Sequence, residues 1–515
     1  MESLVGPWDY VIAGAGSAGA VMAARLTEDA SVRVLLLEAG PNFRSADAPP
    51  EMRMGHWTSV LDPVRFADYN WTTLRARRIS GRDPEPYWRG RGVGGSSSIN
   101  GQVAIRPPLD DFDAWVGRGA KSWGSDDVLG SYRRLEDDID FGDRPYHGRG
   151  GPIPISRAPL EQWSELDLAL RDVAMGLGLP WIPDSNQPGS TGVSVLAYNA
   201  RHEERVSTND GYLEPARDRT NLVIRGGSLV ERVRLSGARA VGVRARIEGD
   251  VVDIDAGEVI LSAGAVHSPA ILMRSGIGPA DHLRTMGVRM TLDLPVGEQL
   301  QEHPAVAFAF KLREGVRLAV NGRHANAIMR WDSGVSGAQP NDMAAMMLGP
   351  PPSALRDAGL GLWVNQPFSR GSLRLASLDP AVDPAIELNL AGDDRDRERL
   401  RGCVERAAAV LGGPDCTRLI EGDVVGLDGT RLADLGAGRA VDEWINRTVD
   451  VSAHPSCTCP IGDPEVGGVV DNEGNVHGSE RLRVVDLSIT PNVPRANTNL
   501  TAIMIAEHIA ARLRH

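Results

Sequence analysis

Apolar residues near the N-terminus form two short runs that flank a small, alanine-rich segment. The runs are YVIA at 10–13 and VRVLLL at 32–37. Short apolar runs with β-branched residues indicate buried strands, whereas the longer alanine-rich segment is typical of a helix. The pattern therefore predicts a strand–helix–strand unit at the start of the chain, with its two strands parallel.

Three glycines lie where the first predicted strand meets the helix. Gly14, Gly16 and Gly19 form a G-x-G-x-x-G motif, and Glu38 ends the second apolar run. The first glycine permits a tight turn, the second lets the backbone approach a pyrophosphate, and the third lets the helix pack closely on the strand. A helix N-terminus favours phosphate, and a carboxylate at this distance accepts hydrogen bonds from a ribose. These residues predict a site for a cofactor with an adenosine diphosphate half.

Two other patterns extend the predicted architecture. Between 200 and 295 the chain predicts strands at 221–224 and 258–262, a hairpin at 233–247 and a short helix after 264. Between 296 and 435, the alternating segments AVAFAFKL (305–312) and SLRLASL (372–378) predict an antiparallel sheet with one solvated face. Helices are predicted at 394–413 and at 497–514, the second of them buried and capped by Asn497 or Asn499.

Length and charge narrow the class of protein. The chain has 515 residues, 42% of them hydrophobic and 24% charged, which is typical of a globular protein with two or three structural units. A formal net charge of -13 argues against nucleic acid and anionic membranes as partners. No apolar run is long enough to span a membrane, and no secretory signal precedes the first strand. We therefore expect a cytoplasmic protein without an integral membrane segment.

The four cysteines do not form a recognisable framework. Cys457 and Cys459 stand in a C-x-C arrangement with no second ligand pair nearby, so we expect no metal site there. Four cysteines in a chain of this length also do not indicate a disulfide scaffold. We expect reduced and mostly buried thiols.

Several separated segments resemble one family, the glucose–methanol–choline oxidoreductases, which use FAD. The segments are GRGVGGSSSINGQVAIRPPLDDFD at 90–113, GAVHSPAILMRSGIG at 264–278, PVGEQLQEHP at 295–304, HPSCTC at 454–459 and RVVDLSITPNVPRANTNLTAIMIAEH at 483–508. They occur in the order of the family and span essentially the whole chain.

The resemblance implies an α/β fold with two domains. One is a Rossmann-like FAD-binding domain, for which we predict residues 1–155, 200–295 and 436–515. The other is an α+β substrate domain whose antiparallel sheet covers the flavin, for which we predict residues 156–199 and 296–435.

The resemblance also implies a reaction, which is the oxidation of an alcohol to an aldehyde or ketone by hydride transfer to flavin N5. By motif match, His454 and Asn497 are the two side chains close to N5. A histidine that titrates near neutrality suits removal of the hydroxyl proton. An amide at the second position can hold the alcohol oxygen so that the C–H bond points at N5.

The predicted flavin-binding residues surround this pair. The loop at 94–100 combines consecutive glycines with short hydroxyl side chains, which lets backbone N–H groups approach a flavin or a phosphate. Some relatives attach FAD through a histidine in this loop, where this chain has Ile99, so we predict non-covalent FAD. The full predicted set is Gly14, Gly16, Ser17, Ala18, Gly19, Glu38, Ala39, Arg91, Gly94, Gly95, Ser96, Asn100, Gly101, Val230, Ala263, Asp486, Asn499 and Thr501.

Some residues depart from the family pattern or have no assigned chemistry. Cys457 stands where the family usually has glycine, so the loop after His454 is expected to differ in shape. Arg495 replaces a commoner serine, and we expect it to face solvent rather than an acidic substrate. Three histidines outside the predicted pair are expected to be structural: His267, His303 and His508.

The sequence leaves several alternatives open. The substrate is an aliphatic or aromatic alcohol, a choline-like cation or an amino-sugar hydroxyl. The electron acceptor is oxygen, a quinone or a redox protein, and the sequence does not indicate the oligomeric state. A non-redox lyase of the hydroxynitrile type, with FAD as a structural component, is the alternative function on the same fold. A flavoprotein that binds without turnover is a third possibility.

Overall fold

A computed structural model describes residues 6–54, 56 and 64–513 of the chain. The helices are α1 (Gly19–Leu26), α2 (Pro50–Arg53), α3 (Asp110–Val116), α4 (Ser125–Leu135), α5 (Glu165–Gly176), α6 (Glu214–Ala216), α7 (Gly264–Arg274), α8 (Ala280–Thr285), α9 (Asp394–Leu411), α10 (Pro414–Thr417), α11 (Arg439–Thr448) and α12 (Asn499–Leu513).

The strands fall into two main sheets and several smaller ones. They are β1 (Tyr10–Ala13), β2 (Val34–Leu37), β3 (Arg75–Ala76), β4 (Glu85–Pro86), β5 (Glu136–Asp138), β6 (Ile153–Arg157), β7 (Trp181–Ile182), β8 (Gly192–Val195), β9 (Ala197–Tyr198), β10 (Ala200–Arg201), β11 (Glu204–Arg205), β12 (Leu222–Arg225), β13 (Ser228–Ser236), β14 (Arg239–Ile247), β15 (Asp250–Asp255), β16 (Glu258–Leu261), β17 (Pro304–Leu312), β18 (Ala327–Trp331), β19 (Met343–Leu348), β20 (Asp357–Val364), β21 (Ser372–Arg374), β22 (Ala385–Glu387), β23 (Ile420–Gly426), β24 (Asp450–Val451) and β25 (Leu482–Val484).

The first main sheet is parallel and has the order β12-β2-β1-β16-β25. All four residues of β2 are buried, as expected for a strand with other elements on both faces. The strands predicted at 10–13, 32–37, 221–224 and 258–262 correspond to β1, β2, β12 and β16 of this sheet, so the predicted strand–helix–strand unit is confirmed. Its strands come from three separated parts of the chain.

The glycine turn between β1 and α1 has the tight geometry that its sequence predicts. Gly14 has a φ of +98°, which glycine adopts at little cost. A Cβ atom on Gly19 would lie 1.9 Å from the carbonyl oxygen of Gly14. Any side chain at position 19 would therefore push the helix away from the strand.

The second main sheet is antiparallel except at one edge, where β7 runs parallel to β8, and has the order β23-β17-β20-β19-β18-β8-β7, with β24 also paired to β17. The alternating segment at 305–312 forms β17, where even-numbered residues are buried and odd-numbered ones are more accessible. The prediction for this segment is confirmed. Residues 372–378 behave differently, because β21 pairs only with β22 in a separate two-stranded sheet. The antiparallel pairing predicted for this segment is confirmed, but the segment lies outside the large sheet.

The remaining predicted elements are present. The hairpin at 233–247 is formed by β13 and β14, with Gly237 at a φ of +63° in the turn. The amphipathic helix is α9, and the C-terminal helix is α12, whose residues 500–510 are all buried. The division into two domains with the residue ranges given above stays a prediction, as does a cytoplasmic location.

The structure corrects the expectation for Arg495. Its side chain is fully buried rather than solvent-facing. The guanidinium Nε lies 2.6 Å from Asp111 Oδ1, and Nη2 lies 2.6 Å from Asp110 Oδ1. Arg495 therefore ties the loop before α12 to the start of α3. Local sequence patterns do not reveal this contact, because Asp110 and Asp111 lie more than 380 residues from Arg495.

All four cysteines are free and buried, as predicted. Cys457 has a φ of +69°, a left-handed conformation that glycine tolerates better than cysteine. Within the described residues, no helix is both long enough and apolar enough to cross a lipid bilayer.

A buried cluster of charged side chains joins the segments around β5, β6 and residue 184. His147 is 1% exposed. Its Nδ1 lies 3.0 Å from Glu136 Oε1 and 3.2 Å from Asp138 Oδ2, and its Nε2 lies 2.9 Å from Asp184 Oδ2. Both ring nitrogens face carboxylate oxygens, so the imidazole satisfies these contacts best when both nitrogens carry a proton.

Other charges in this cluster act on the same ring. Burial and the nearby Arg106 lower the pKa of His147, but its hydrogen bonds with Asp184 and Glu136 outweigh them and raise it above 6.5. Arg157 also contacts Asp138 and Asp184. The raised pKa means that protonated His147 stabilises the fold below about pH 6.5 and that this contribution declines as the pH rises through the folded-state pKa.

We predict that His147→Gln lowers the free energy of unfolding more at pH 6 than at pH 9. Removing one partner of a buried charge cluster costs about 3 kcal/mol, and this cost shrinks once the wild-type imidazole is neutral. Urea unfolding of both proteins at the two pH values measures the difference. His477→Gln is the control, because the His477 side chain bonds to the backbone carbonyl oxygen of Gly462 and not to a carboxylate. An equal loss of stability for His147→Gln at both pH values contradicts the prediction.

Candidate active site

A cavity of about 780 Å³ extends from the carboxyl ends of β1 and β2 to the antiparallel sheet. Its size is in the range of pockets that hold cofactors and small molecules. One end is lined by the glycine turn after β1 and by Val230 of β13, and the other by residues of β17, β19 and β20. His454 and Asn497 lie on the wall between these ends.

The carboxylate of Glu38 organises the first end of the cavity. Its Oε2 accepts a hydrogen bond from the backbone N–H of Ala15 at 2.8 Å, and its Oε1 accepts from Gly40 and Gly92 at 2.9 Å. Burial raises the pKa of Glu38 despite these hydrogen bonds. Glu38 thus joins the first glycine turn to the loop near residue 92 and also lines the cavity.

Two glycine-containing loops meet at this end. Gly95 has a φ of +51°, and a Cβ atom on it would lie 2.7 Å from Gly16 Cα. A Cβ atom on Gly16 would have Gly95 Cα as its nearest neighbour, at 3.7 Å. The loops therefore approach each other through their backbones, and the absence of side chains keeps this part of the cavity open.

Most of the predicted flavin-binding residues line the cavity. Those that do are Gly14, Gly16, Ser17, Ala18, Glu38, Ala39, Gly95, Ser96, Asn100, Gly101, Val230, Ala263, Asp486 and Asn499. Asn499 is the first residue of α12, and its Oδ1 accepts from Ser17 Oγ at 3.0 Å. Asp486 accepts hydrogen bonds from Ser268 and Ser488 and from the backbone of Gly264.

Four predicted residues support the cavity without lining it. Gly19 packs α1 against the glycine turn, and Gly94 donates its N–H to the carbonyl oxygen of Ala15. The Arg91 side chain bonds to the carbonyl oxygen of Ala39, 3.1 Å away. Thr501 is buried one turn inside α12, where its hydroxyl lies 3.0 Å from the Tyr132 hydroxyl. Asn499 and Thr501 are two positions apart in α12, so their side chains point to different sides of the helix, and Thr501 faces away from the cavity.

The residues at this end fit an FAD molecule. The N-terminal end of α1 favours a pyrophosphate, and the three residues before it line the cavity. His267, which was expected to be structural, also lines the cavity, and its buried Nε2 has no hydrogen-bond partner among the described residues. The ring stacks at 4.2 Å on Trp71, which also lines the cavity.

The structure places His454 and Asn497, the two residues singled out by the motifs, next to each other. The amide Nδ2 of Asn497 lies 3.4 Å from His454 Nε2, and both side chains are half-buried on the cavity wall. The two residues are not neighbours in sequence, because His454 follows β24 and Asn497 precedes α12. The fold brings them together. A hydroxyl group placed between the two would face one nitrogen acceptor and one amide donor.

His303 contacts His454 directly, which sequence reasoning missed. The Nδ1 atoms of the two rings are 2.9 Å apart, and the rings meet edge to face with centroids 5.1 Å apart. His303 is fully buried. The expectation of a purely structural histidine therefore has to be revised to that of a direct hydrogen-bond partner.

The carboxylate of Glu302 fixes both histidine backbones. It accepts from the N–H of His303 at 2.9 Å and from the N–H of His454 at 2.7 Å. The hydroxyl of Tyr87 donates to the same carboxylate at 2.5 Å. Burial raises the pKa of Glu302. A single buried side chain thus holds two segments that are about 150 residues apart in sequence.

Burial also sets the protonation state of the histidines. It lowers the pKa of His454 well below 6.5, and the nearby His303 and Arg89 lower it further. Burial lowers the pKa of His303 to about 4. Arg89 lines the cavity and donates a hydrogen bond of 2.5 Å to the carbonyl oxygen of Ala453. Near neutral pH both imidazoles are therefore uncharged, and His454 is able to accept a proton.

The wall opposite the glycine turns is apolar. It consists of one face of the antiparallel sheet, where Ala305 pairs with Trp363 and Ala307 pairs with Gly361. Met346 lies beside Gly361 on the next strand, so these side chains share a face. The carboxylates that line the cavity all have partners among the described residues: Glu38 and Asp486 bond as described above, Glu85 pairs with Arg82, and Asp450 pairs with Arg78.

Comparison with known proteins agrees with this architecture. The 5-(hydroxymethyl)furfural oxidase of Methylovorus sp. is 37% identical, with 98% of each chain covered. An oxygen-dependent choline dehydrogenase of Serratia proteamaculans is 34% identical, covering 98% of this chain and 96% of the relative. The crystal structure of pyridoxine 4-oxidase from Mesorbium loti is 30% identical, with 99% of each chain covered and a TM-score of 0.88.

A protein-family model also matches most of the chain. The family described as GMC oxidoreductase matches residues 8–305 and 367–506. These ranges include the glycine turn, Glu38, both histidines and Asn497. The α/β fold with its FAD-type parallel sheet and separate antiparallel sheet is therefore confirmed. This chain belongs to the GMC oxidoreductase family, whose enzymes use FAD to oxidise alcohols.

Proposed function

We propose that the protein oxidises a neutral primary alcohol to an aldehyde, with His454 as the general base and Asn497 as the group that orients the alcohol oxygen. Bound FAD supplies the acceptor for the hydride that leaves the carbon. The observation that carries the proposal is the adjacency of an uncharged imidazole and an amide donor on the wall of a cavity that fits FAD.

The proton transfer follows from the chemistry of these side chains. The alcohol O–H donates to His454 Nε2, and the imidazole takes the proton as the carbon loses its hydride. The Asn497 amide donates to the same oxygen and limits rotation of the C–H bond. The alcohol loses two electrons and two hydrogens, one as the proton on His454 and one as hydride. The N-terminal end of α12 beside Asn497 favours negative charge that develops nearby.

The cavity wall supports a neutral substrate with an apolar body. Small residues at 305, 307 and 361 leave room beside the flat side chain of Trp363. A choline-like cation needs an unpaired carboxylate or an exposed aromatic face. The carboxylates on the described cavity wall are already paired, so a quaternary ammonium would meet aromatic faces such as that of Trp363 but no free counter-charge. We therefore place furanic and benzylic alcohols ahead of choline.

Redox function is favoured over the lyase alternative. The relatives described above are two oxidases and a dehydrogenase, and none of their names indicates cyanohydrin cleavage. Both functions would use a histidine, so the histidine alone does not distinguish them. A change in flavin absorbance does, because only the oxidation reduces the flavin.

We predict that anaerobic addition of an aromatic primary alcohol bleaches the flavin absorbance of the holoenzyme. The panel contains benzyl alcohol, 5-(hydroxymethyl)furfural, pyridoxine and choline, followed by admission of air to identify oxygen as an acceptor. Furanic and benzylic alcohols should reduce the flavin at least tenfold faster than choline, because the wall lacks a counter-charge. No bleaching by any alcohol, with cyanide release from a cyanohydrin, would instead support the lyase.

The matched variants for this experiment are His454→Gln and Asn497→Ala. Loss of a general base slows the chemical step by about 10²–10⁴-fold, so His454→Gln should slow flavin reduction by that factor. Asn497→Ala should slow it less, because it removes orientation and not the proton acceptor. His477→Gln, which lies outside the cavity lining, is the control. Wild-type rates in His454→Gln would exclude His454 as the base.

The pH dependence of flavin reduction follows from the lowered pKa of His454. Only the neutral imidazole accepts a proton, and it remains neutral until the pH falls below its pKa. We predict a limiting rate of reduction that is constant from pH 8 to pH 6.5 and declines only at lower pH. Stopped-flow reduction at saturating alcohol measures this profile. A decline that begins above pH 6.5 would contradict the burial of His454.

We also propose that FAD is bound without a covalent bond. Ile99 occupies the loop position at which some relatives have the histidine that attaches FAD. Its alkyl side chain has no atom that can form such a bond to the flavin. Denaturation of the holoenzyme with acid should release all of the yellow colour into the supernatant. Colour that remains with the precipitated protein would contradict non-covalent binding.

A further inference from the structure

We propose that His303 is a positioning residue that selects the reactive tautomer of His454. Its Nδ1 accepts a hydrogen bond from His454 Nδ1–H and thereby leaves His454 Nε2 unprotonated toward the cavity. The catalytic consequence rests on the proposed function of His454, but the tautomer is a property of the resting protein.

The contact between the two rings requires one donor and one acceptor. The two Nδ1 atoms are 2.9 Å apart, which is a hydrogen-bond distance, so one nitrogen carries the proton and the other does not. Two Nδ1–H groups would repel each other, and two bare nitrogens would each lose a partner. The direction of this one hydrogen bond therefore fixes the tautomers of both rings.

The amide of Asn497 indicates the direction, although its contact with His454 is too long to hold one tautomer by itself. Its Nδ2 is a donor without acceptor capacity, and it lies 3.4 Å from His454 Nε2. His454 Nε2 therefore acts as the acceptor, and the single proton of the neutral imidazole is on Nδ1. His303 Nδ1 must then be bare, with the His303 proton on Nε2. Because His303 has a pKa of about 4, its Nδ1 is available as an acceptor near neutral pH.

The backbone holds the two rings in register. Glu302 accepts from the N–H groups of both histidines, and the N–H of Ser452 donates to the carbonyl oxygen of His303 at 3.1 Å. Val451 of β24 pairs with Pro304 of β17 immediately beside them. These contacts fix the backbone positions of both segments, so the two rings are attached at fixed points beside each other.

The tautomer decides whether His454 can act. With its proton on Nε2, the ring would present a donor to the alcohol oxygen and could not accept the hydroxyl proton. With its proton on Nδ1, the ring accepts at Nε2 and becomes an imidazolium that still donates to His303. In a Ser-His-Asp triad, loss of the group that fixes the tautomer lowers kcat by about 10⁴-fold. A neutral imidazole is a weaker acceptor than a carboxylate, so the effect here is smaller.

The test uses two variants that differ in one property. In His303→Asn the amide oxygen can take the place of Nδ1 as an acceptor, whereas His303→Leu fills the site without any acceptor. We expect His303→Asn to reduce its flavin within about threefold of the wild-type rate. We expect His303→Leu to be slower by about 10–100-fold, the range found when a partner that orients a metal-bound histidine is removed. Equal rates in the two variants, whether fast or slow, would overturn the proposal.

A direct readout does not depend on turnover. In holoenzyme labelled with ¹⁵N-histidine, the ring nitrogens of His454 are assigned from the signals that disappear in His454→Gln. We expect a bare Nε2 and a protonated Nδ1 in the wild type and in His303→Asn, and a mixture of tautomers in His303→Leu. A protonated Nε2 in the wild type would overturn the proposal, even if alcohol oxidation is confirmed.

A matched control separates this role from the loss of any buried histidine. His508 is 6% exposed, does not line the cavity, and bonds to Ser131 Oγ and to the carbonyl oxygen of Ser122. His508→Leu should lower the thermal stability but leave the His454 tautomer unchanged. If His454→Gln reduces its flavin at the wild-type rate, the proposed function fails, while the nitrogen spectra still decide the role of His303.

Discussion

The buried carboxylate of Glu302 is the interaction on which the geometry of the candidate active site depends. It accepts hydrogen bonds from the backbone of His303 and from that of His454, and Tyr87 donates to it as well. A buried carboxylate is costly unless its oxygens are satisfied, and here each oxygen has at least two donors. The same contacts that satisfy Glu302 therefore place the two imidazole rings within hydrogen-bond distance.

Glu38 has a comparable role at the other end of the cavity. It accepts from the backbone N–H groups of Ala15, Gly40 and Gly92, which belong to separate loops. Each end of the cavity is thus organised by one buried carboxylate that gathers backbone donors from distant segments. Such sites are rigid, because movement of any one loop leaves a buried charge without a partner. The cofactor end and the reactive end are in this way fixed independently of each other.

Local patterns predicted the parallel sheet, the glycine turn and the buried C-terminal helix, because each depends on neighbouring residues in the sequence. Family motifs brought His454 and Asn497 together. The contact between His303 and His454 was missed, since nothing local links positions 150 residues apart. Arg495 was misassigned for the same reason, because its partners Asp110 and Asp111 are remote. Residues 372–378 have a convincing alternation, but alternation does not specify which strand is the partner.

The two faces of β17 contact different parts of the protein. Phe308 and Phe310 point into the packed interior, whereas Ala305 and Ala307 border the cavity only a few residues after His303. A mutation at either alanine would reshape the space for the alcohol while leaving the interior intact. During evolution, single substitutions along this strand can change which alcohol is preferred. His454, the proposed proton acceptor, lies on another segment and would be inherited unchanged.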